Sequence, residues 1–471
     1  MLERKLKLIL INTDRPDFEY DIHSLVKAFY PEEDVVVCAP GKESKGETPS
    51  RTFLVSIPSE SPNRKENKDK LKQDLYKRLV AETGKELPWG SLTGIRPVKI
   101  PMKLLAEGRR HDEIRRYMKD TYFCSEEKIA LSIEIAEREG EILSRLDAES
   151  GFSLYVGIPF CPTTCLYCSF ASYPVNGNER KIEPYLQALK QEIAAMAELF
   201  RDRRLNTVYI GGGTPTSLNS SQISEIIKEI KTRFNTESCM EFTVEAGRPD
   251  SITEEKLAAL KENGVTRISV NPQTFSQRTL DLIGRLHTTE QTIESFELAR
   301  RMGFNNINMD LIIGLPGENI EDVTHTMQVI RSLAPDDVTV HSLAVKRASR
   351  LALQMEEYRK YQMENTAEQM KVTEEACRAI GLKPYYLYRQ KNMAGNFENV
   401  GYAAPGKAGI YNILIMEEVG DIVACGAGTV SKRVFADGRI ERCDTVKDLD
   451  LYISRIDEMV ERKRKLFGTE G

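Results

Sequence analysis

The central part of the chain alternates short apolar runs with amphipathic stretches of helical period. Each run is about four to nine residues long, and most are rich in β-branched side chains, as buried strands are. Between the runs, apolar residues recur every three or four positions, which predicts helices. Strands that alternate with helices indicate a parallel sheet with crossover connections. The six runs lie at 154–158, 207–210, 240–246, 267–270, 307–315 and 338–343.

Six strand–helix units are fewer than the eight of a closed barrel. We therefore predict an α/β fold in which residues 151–380 form an open, partial (β/α)6 barrel. Ligands of parallel sheets bind at the carboxyl ends of the strands. Polar residues that directly follow a strand are therefore the first candidates for a functional role.

The first 150 residues have a different pattern. Strand-like runs at 7–10 and 34–39 flank a helical segment, and a longer helical stripe ends at Gly84. Helical patterns then continue to about residue 146. We predict an accessory α/β and helical domain over residues 1–150, in which no motif indicates chemistry.

Beyond residue 380 the periodicity weakens. A polar stretch with several aromatic residues spans 385–403, and strand-like segments follow at 413–416 and 421–430. A charged tail with helical period completes the chain. We predict a smaller C-terminal domain, residues 381–471, that covers the substrate.

Composition narrows the class of protein. With 41% hydrophobic residues among 471, the chain has enough apolar material for a core, which excludes a disordered or collagen-like chain. The net charge of -5 disfavours a general nucleic-acid binder. No apolar run approaches the roughly 18–20 residues of a membrane span, and the basic start lacks a cleavage site. The sequence therefore predicts a cytoplasmic protein with no membrane span.

Three of the nine cysteines lie close together. Cys161, Cys165 and Cys168 form C-x3-C-x2-C directly after the first predicted barrel strand, whereas the other six are scattered. Three thiolates can bind three irons of a [4Fe–4S] cluster and leave the fourth iron open. A zinc site completed by a distant residue is the alternative, but no second pair of cysteines provides its usual pattern.

Polar residues and glycines follow several of the other predicted strands. Gly211–Gly213 follow the second strand without the Gly-Lys-Ser/Thr of a phosphate-binding loop. Glu245 ends the third strand, Gln273 and Arg285 follow the fourth, and Asp310 lies in the fifth. Since these groups converge on one rim of a parallel sheet, they indicate a polar ligand.

These motifs together resemble a known family. The cysteine motif, with Tyr167 before its third cysteine, resembles that of the radical S-adenosylmethionine (SAM) superfamily. The contexts TVEAGRPD, NPQTFSQRTLDLIGRLH and NMDLIIGLPGE resemble the oxygen-independent coproporphyrinogen III oxidases and their relatives. CLYCSF and YYLYRQKNMAGNFENVGYA make the HemZ-type branch the most similar, and the resemblance covers about residues 153–435.

The resemblance implies two cofactors, a [4Fe–4S] cluster and SAM. It implies that the open iron chelates SAM and that one electron cleaves SAM to a 5'-deoxyadenosyl radical. No catalytic side chain is implied beyond this cofactor-derived radical. The implied cluster ligands are Cys161, Cys165 and Cys168. The implied SAM contacts are Tyr155, Tyr167, Gly212, Gly213, Thr214, Glu245, Gln273, Arg285, Asp310, Ala344 and Val430.

The implied reaction converts two propionates of coproporphyrinogen III into vinyl groups and gives protoporphyrinogen IX without oxygen. The implied partners are therefore a tetrapyrrole substrate and an electron donor such as flavodoxin or ferredoxin. The substrate's carboxylates require cationic partners. The candidates are Lys346 and Arg347 after the sixth strand, and Arg389 and Lys391 in the aromatic segment.

Two positions depart from the better-known HemN type. Gly157 replaces a histidine, and Phe170 replaces an additional cysteine, both near the place of a second SAM or the substrate. A haem-binding or haem-trafficking protein of HemW type is the alternative function. The H-N-x-x-Y-W motif of that type is absent here, and the single tryptophan is Trp89. A radical SAM enzyme that acts on another substrate is a third possibility, since a shared fold does not fix the chemistry.

Overall fold

The computed structural model describes residues 8–31, 33–38, 48–57, 60–94, 96–146, 151–390 and 396–468. The chain forms two compact units. The first contains Met1–Glu137 and Leu387–Glu398, and the second contains Arg138–Tyr386 and Asn399–Gly471. These bounds differ from residues 150 and 380, and the division into three domains stays a prediction.

The first unit is built on a parallel sheet. Its strands are β1 (Leu8–Thr13), β2 (Asp34–Cys38) and β3 (Arg51–Val55), in the order β2–β1–β3. Apolar side chains of the sheet and of the first two helices form its core. The helices are α1 (Glu19–Phe29), α2 (Arg64–Thr83), α3 (Lys99–Ala106), α4 (His111–Tyr122) and α5 (Glu126–Leu143), the last of which ends in the second unit.

A buried network attaches the segment 387–398 to the first unit. The indole nitrogen of Trp89 donates to one carboxylate oxygen of Glu398 at 2.7 Å, and Lys128 Nζ donates to the other at 2.5 Å. Glu398 is fully buried, and these two donors bind both of its carboxylate oxygens.

Arg389 belongs to the same segment; two of its guanidinium nitrogens donate to protein acceptors, while its Nε has no hydrogen-bond partner among the described residues. Arg389 donates to the carbonyl oxygen of Leu92 at 2.6 Å and to Oδ1 of Asn396 at 2.6 Å, and the residue is only 5% exposed. The role of Arg389 as a partner of a substrate carboxylate stays a prediction. Lys391, the other candidate in this segment, lies outside the described residues.

The second unit contains a sheet of eleven strands in the part of the chain that the structure describes. Its strand order is β12–β13–β11–β10–β9–β8–β7–β4–β14–β15–β16. The neighbours from β4 to β11 are parallel, which confirms the six strands of the predicted partial barrel. The strands of this unit are β4 (Phe152–Ile158), β5 (Phe160–Cys161), β6 (Tyr173–Pro174), β7 (Leu205–Gly212), β8 (Glu241–Gly247), β9 (Arg267–Val270), β10 (Ile307–Ile313), β11 (Asp337–Ser342), β12 (Lys383–Tyr388), β13 (Asn399–Ala403), β14 (Asp421–Cys425), β15 (Val430–Val434) and β16 (Ile440–Asp444).

Helices follow the barrel strands as the sequence predicts. Thr253 caps one of them by accepting from the amide of Lys256, and Gly264 follows its end with φ +80°. Across the described ranges, none of the helices has the length and apolar character needed to cross a bilayer. The helices of this unit are α6 (Glu179–Leu199), α7 (Ser220–Arg233), α8 (Glu254–Glu262), α9 (Gln277–Leu282), α10 (Thr289–Arg301), α11 (Ile320–Leu333), α12 (Arg350–Leu353), α13 (Met355–Tyr358), α14 (Ala367–Ala379), α15 (Ile410–Glu417), α16 (Leu449–Ser454) and α17 (Ile456–Gly468).

One predicted strand is wrong. Residues 413–416 lie in helix α15, where Tyr411, Ile413 and Leu414 are buried. A helix that is buried on most sides has the same apolar composition as a short strand, so periodicity does not separate the two. The next predicted strand is confirmed as β14, which pairs in parallel with β4 and so extends the barrel sheet.

Candidate functional site

The three motif cysteines lie on the connection between β4 and α6. Cys161 is in β5, which pairs with β6 and closes the connection into a loop. The amide of Cys168 donates to the carbonyl oxygen of Cys165 at 3.2 Å, which forms a turn at the second and third cysteines. Burial raises the pKa of the Cys161 thiol to about 11 and also raises the pKa of Cys168.

The end of β7 packs against this cysteine loop through the main chain. The amide of Gly213 donates to Ile158 at 2.8 Å, and the amide of Thr214 donates to Phe160 at 2.7 Å. A Cβ at Gly213 would lie 2.7–2.8 Å from those two carbonyl oxygens and 3.0 Å from Cys161 Sγ. Only glycine permits this approach.

The donor set fits an iron–sulfur cluster. The three thiols are close enough to affect one another electrostatically, and Gly213 leaves room beside Cys161. Among the described residues, no three His, Cys, Asp or Glu side chains are gathered as ligands of a single metal ion. A cluster does not need such a group, because each thiolate binds a different iron. Cys161, Cys165 and Cys168 are therefore residues that could hold a [4Fe–4S] cluster.

A buried arginine lies against the same loop. Arg285 is 6% exposed, donates to the carbonyl oxygen of Asn271 at 2.6 Å, and contacts Tyr167 and Cys165 with its guanidinium. Burial alone would lower its pKa, but the phenol and thiol neighbours raise it above the ordinary value. Its Nε has no hydrogen-bond partner. This donor is available to an acidic ligand group such as a carboxylate.

The carboxylate of Glu245 lies under a group of tyrosine rings. The Tyr209 hydroxyl donates to it, and the ring of Tyr209 stacks on those of Tyr155 and Tyr411 with centroids 6.0 and 4.6 Å apart. A Cβ at Gly211 would lie 2.9 Å from Glu245 Cδ and from Tyr209 Cε1, so a larger residue there would displace these side chains. Burial raises the pKa of Glu245 to about 7.

Asp310 and Gln273 lie side by side on neighbouring elements. The amide of Gln273, whose φ is +67°, donates to the carbonyl oxygen of Asp310 at 2.9 Å. Asn308 Nδ2 donates to the Asp310 carboxylate at 2.8 Å, and His341 Nε2 lies 3.8 Å from it. Burial alone would raise the pKa of Asp310, but His341 and Asn308 lower it below the ordinary value. The side chain is thereby kept as a hydrogen-bond acceptor.

Most of the predicted residues lie at the strand ends, where they contact one another or share a neighbouring residue. Ala344 follows β11 and is half-buried. Val430 begins β15, pairs with Asp444 and is 37% exposed. It is the preceding residue, Thr429, that reaches the barrel strands. The contacts of all these residues with SAM stay predictions.

The two departures from the HemN-type pattern have different surroundings. A Cβ at Gly157 would lie 2.7 Å from Thr429 Cγ2, and the Thr429 hydroxyl is fixed by donating to Gly426 at 2.8 Å. A histidine at Gly157 would therefore displace Thr429. Phe170, in contrast, is 74% exposed, which is unusual for a ring of this size.

The structure also adds residues that the sequence analysis missed. Tyr209 and His341 lie inside predicted strands and look like ordinary strand residues in the sequence. Tyr411 lies in the segment that leads into the wrongly predicted strand. Of these three residues, only His341 could have been found from the sequence, because it is a polar residue near the carboxyl end of a barrel strand.

Replacing Gly213 with alanine should destabilise the second unit. The new Cβ would meet two backbone oxygens that cannot move independently of β4. We expect Gly213→Ala to lower the free energy of unfolding by about 3 kcal/mol, the upper end for overpacking. Denaturant unfolding measures this, and Gly140→Ala in α5, where no atom lies within 4 Å, is the control. Equal stability of the two variants would contradict the close approach.

The stability of the protein should depend on the ionisation of Glu245. Its folded-state pKa of about 7 lies above the ordinary 4.5, so its contribution to stability is lost as the pH rises between these values. The stability advantage of Glu245→Gln over the wild type should therefore grow from pH 4.5 to 7 and stay constant above. Urea unfolding of the cofactor-free protein at several pH values tests this. The exposed Glu262→Gln is the control, and a pH-independent Glu245→Gln difference would refute the expectation.

Comparisons with known proteins agree with the motifs. The family model of the radical SAM superfamily matches residues 155–330. The chain is 42% identical over 392 residues to the oxygen-independent coproporphyrinogen-III oxidase-like protein HemZ of Bacillus subtilis, a match that covers 82% of this chain and 78% of that protein. It is 40% identical over 195 residues to the heme chaperone HemW of Bacillus subtilis, which covers 41% of this chain and 51% of the chaperone.

A solved structure shows the same fold. Coproporphyrinogen III oxidase (HemN) from Escherichia coli, described as a radical SAM enzyme, superimposes with a TM-score of 0.52 at 24% identity, over 68% of this chain and 72% of that chain. The predicted fold class is thereby confirmed. Together with the 42% identity over most of the chain, these findings show that the protein belongs to the radical SAM superfamily, whose cofactors are a [4Fe–4S] cluster and SAM, and within it to the oxygen-independent coproporphyrinogen III oxidase-like family.

Proposed function

We propose that this protein converts coproporphyrinogen III into protoporphyrinogen IX without oxygen. The observation that carries the proposal is the length of the match to the oxidase-like HemZ, which covers 82% of the chain. The matches to heme chaperones named HemW cover 41% of the chain for the protein of Bacillus subtilis and 64% for that of Haemophilus influenzae, where the identity falls to 27%. A shared barrel alone would not favour one chemistry over another.

The proposed reaction balances at each of two propionate side chains. Cys161, Cys165 and Cys168 would hold the cluster, and the cluster with SAM would supply the 5'-deoxyadenosyl radical needed to remove one hydrogen atom from the propionate β-carbon. The substrate then loses CO2 and one electron and retains a vinyl group. A flavodoxin or ferredoxin is the proposed electron donor, and a separate acceptor takes the electron that the substrate releases.

The chain's own residues bind and orient these groups. Cys161, Cys165 and Cys168 are the proposed cluster ligands. The carboxylates of Glu245 and Asp310 are suited to accept hydrogen bonds from ribose hydroxyls. The Tyr209 hydroxyl, which donates to Glu245, orients this carboxylate.

The free donor of Arg285 is suited to a carboxylate of the bound ligand. Gly213 lets the end of β7 approach the proposed cluster ligand Cys161, and Gly212, which ends β7, precedes Gly213 with φ +105°. A Cβ at Gly212 would lie 3.4 Å from the Tyr155 hydroxyl, which places that hydroxyl beside the same strand end.

Lys346 is the proposed cationic partner of a substrate carboxylate. It follows β11, the strand that carries His341, and is half-buried, while the neighbouring Arg347 is exposed. Burial lowers the pKa of Lys346. A partly desolvated ammonium gains more from pairing with a carboxylate than a solvated one does.

An anaerobic assay tests the proposed reaction. The reconstituted protein is mixed with reductant, SAM and coproporphyrinogen III, and porphyrins and 5'-deoxyadenosine are followed by mass spectrometry. We expect stepwise loss of two carboxyl groups together with 5'-deoxyadenosine. Cys165→Ala, which removes one proposed ligand, should lose both activities.

The other outcomes of this assay contradict the proposal in different ways. Formation of 5'-deoxyadenosine with unchanged porphyrin would indicate a radical SAM enzyme with another substrate. Haem bound in stoichiometric amount, with no decarboxylation, would favour the haem-trafficking alternative.

Lys346→Ala should weaken substrate binding and spare SAM cleavage. Loss of one charge-assisted contact predicts a KM for coproporphyrinogen III that is roughly tenfold higher. SAM cleavage in the absence of the tetrapyrrole should stay at the wild-type rate. Lys371→Ala, on the exposed face of α14, is the matched control. Wild-type KM in Lys346→Ala would remove this residue from the proposed site.

A further inference from the structure

A buried arginine connects the end of β8 to the middle of the cysteine loop. Arg248 directly follows β8 and is only 2% exposed. Its Nη1 donates to both the hydroxyl and the carbonyl oxygen of Thr163, at 2.6 and 3.1 Å. Thr163 lies between Cys161 and Cys165, so this contact acts on the segment that separates two of the proposed ligands.

The guanidinium is itself held rigidly. Its Nε and Nη2 donate to the two carboxylate oxygens of Asp250 at 2.9 and 2.5 Å, a bidentate geometry that fixes the plane of the group. The carbonyl oxygen of Arg248 accepts from the amide and hydroxyl of Ser251 at 3.0 and 2.7 Å. Both the backbone and the side chain of Arg248 are therefore fixed before Nη1 reaches Thr163.

The contact extends to a third element. The Thr163 hydroxyl donates to the carbonyl oxygen of Gly284 at 3.0 Å, next to Arg285. The Thr163 hydroxyl thus accepts from Arg248, which follows β8, and donates to the segment that carries the second buried arginine, Arg285. The loop is fixed at its centre, while the hydrogen bonds from Gly213 and Thr214 fix its beginning.

We propose that Arg248 is a positioning residue for the cluster: through Thr163 it holds Cys161 and Cys165 at the separation that a [4Fe–4S] cluster requires. The proposed effect rests on the geometry of the guanidinium, which contacts Asp250 and Thr163 at the same time. It therefore requires the forked guanidinium and is not reproduced by another cation. The inference concerns the cofactor of the family and does not depend on the tetrapyrrole reaction.

Substitutions at Arg248 and Thr163 test this role, and the measured quantities are the stability and the spectrum of the cluster, not the activity. The variants are Arg248→Lys, Thr163→Val, Thr163→Ser and the double variant Arg248→Lys/Thr163→Val, each reconstituted under anaerobic conditions. Loss of cluster absorbance to an iron chelator gives a rate, and electron paramagnetic resonance of the reduced cluster reports its ligand geometry. Arg278→Lys, in an exposed pair with Asp322, is the control.

We expect Arg248→Lys and Thr163→Val each to lose the cluster roughly fivefold faster than the wild type, as the loss of a buried hydrogen bond predicts. The double variant should be no faster than the faster single variant, because both changes remove the same contact. Arg248→Lys and Thr163→Val should also each alter the electron paramagnetic resonance spectrum of the reduced cluster. Thr163→Ser and the Arg278→Lys control should behave as the wild type.

Two results would overturn the proposal. One is a wild-type rate and spectrum in Thr163→Val, a nearly isosteric change at a half-buried residue that should leave the fold intact. The other is faster loss in Thr163→Val with a wild-type rate in Arg248→Lys, since the hydroxyl would then act through Gly284 alone. If Arg248→Lys does not fold, Asp250→Asn takes its place in this comparison, because it loosens the pair that orients Arg248 and leaves the hydrogen bond between Thr163 and Gly284 intact.

Discussion

The close approach of β7 to the cysteine loop is the constraint on which the rest of the site depends. Neighbouring parallel strands end at the same edge of the sheet, so the segments that follow β4 and β7 must share one space. Two main-chain hydrogen bonds from Gly213 and Thr214 define that arrangement, and the missing side chain at Gly213 makes it possible. Polar groups from β8 to β10 then line the same edge without requiring direct contact with a cysteine.

A buried ion pair extends this arrangement to the C-terminal part of the second unit. Glu192 in α6 and Lys463 in α17 are both fully buried, and Glu192 also accepts from the amide of Gly426 at 2.7 Å. A pair removed from water in this way is tolerated only when such further hydrogen bonds complete it. Because Gly426 follows β14, the pair fixes that strand beside β4. It thereby places Thr429 against Gly157, so a helix far along the chain shapes the edge of the site.

The sequence was sufficient where its signal is local. Buried parallel strands are continuous apolar runs, and helix caps such as Thr253 mark the segments between them, so the six barrel strands could be predicted. The cysteine motif is equally local, since its three thiols lie within eight residues. The prediction for helix α15 was wrong for the opposite reason. Its residues are buried on most sides, and among the partners that bury it are Tyr155 and Tyr209, which stack on Tyr411 from more than two hundred residues away.

The same limit applies to function. Arg248 and Thr163 are 85 positions apart, and Asp310 and His341 are 31 apart, so neither pair forms a motif that a single sequence displays. Proteins named as an oxidase and as a heme chaperone both match this chain, so the match cannot by itself separate their chemistries. The separation must come from side chains that change the shape of the shared edge. In this chain such a change is visible at Gly157, where the space of a larger side chain is taken by Thr429 from outside the six barrel strands.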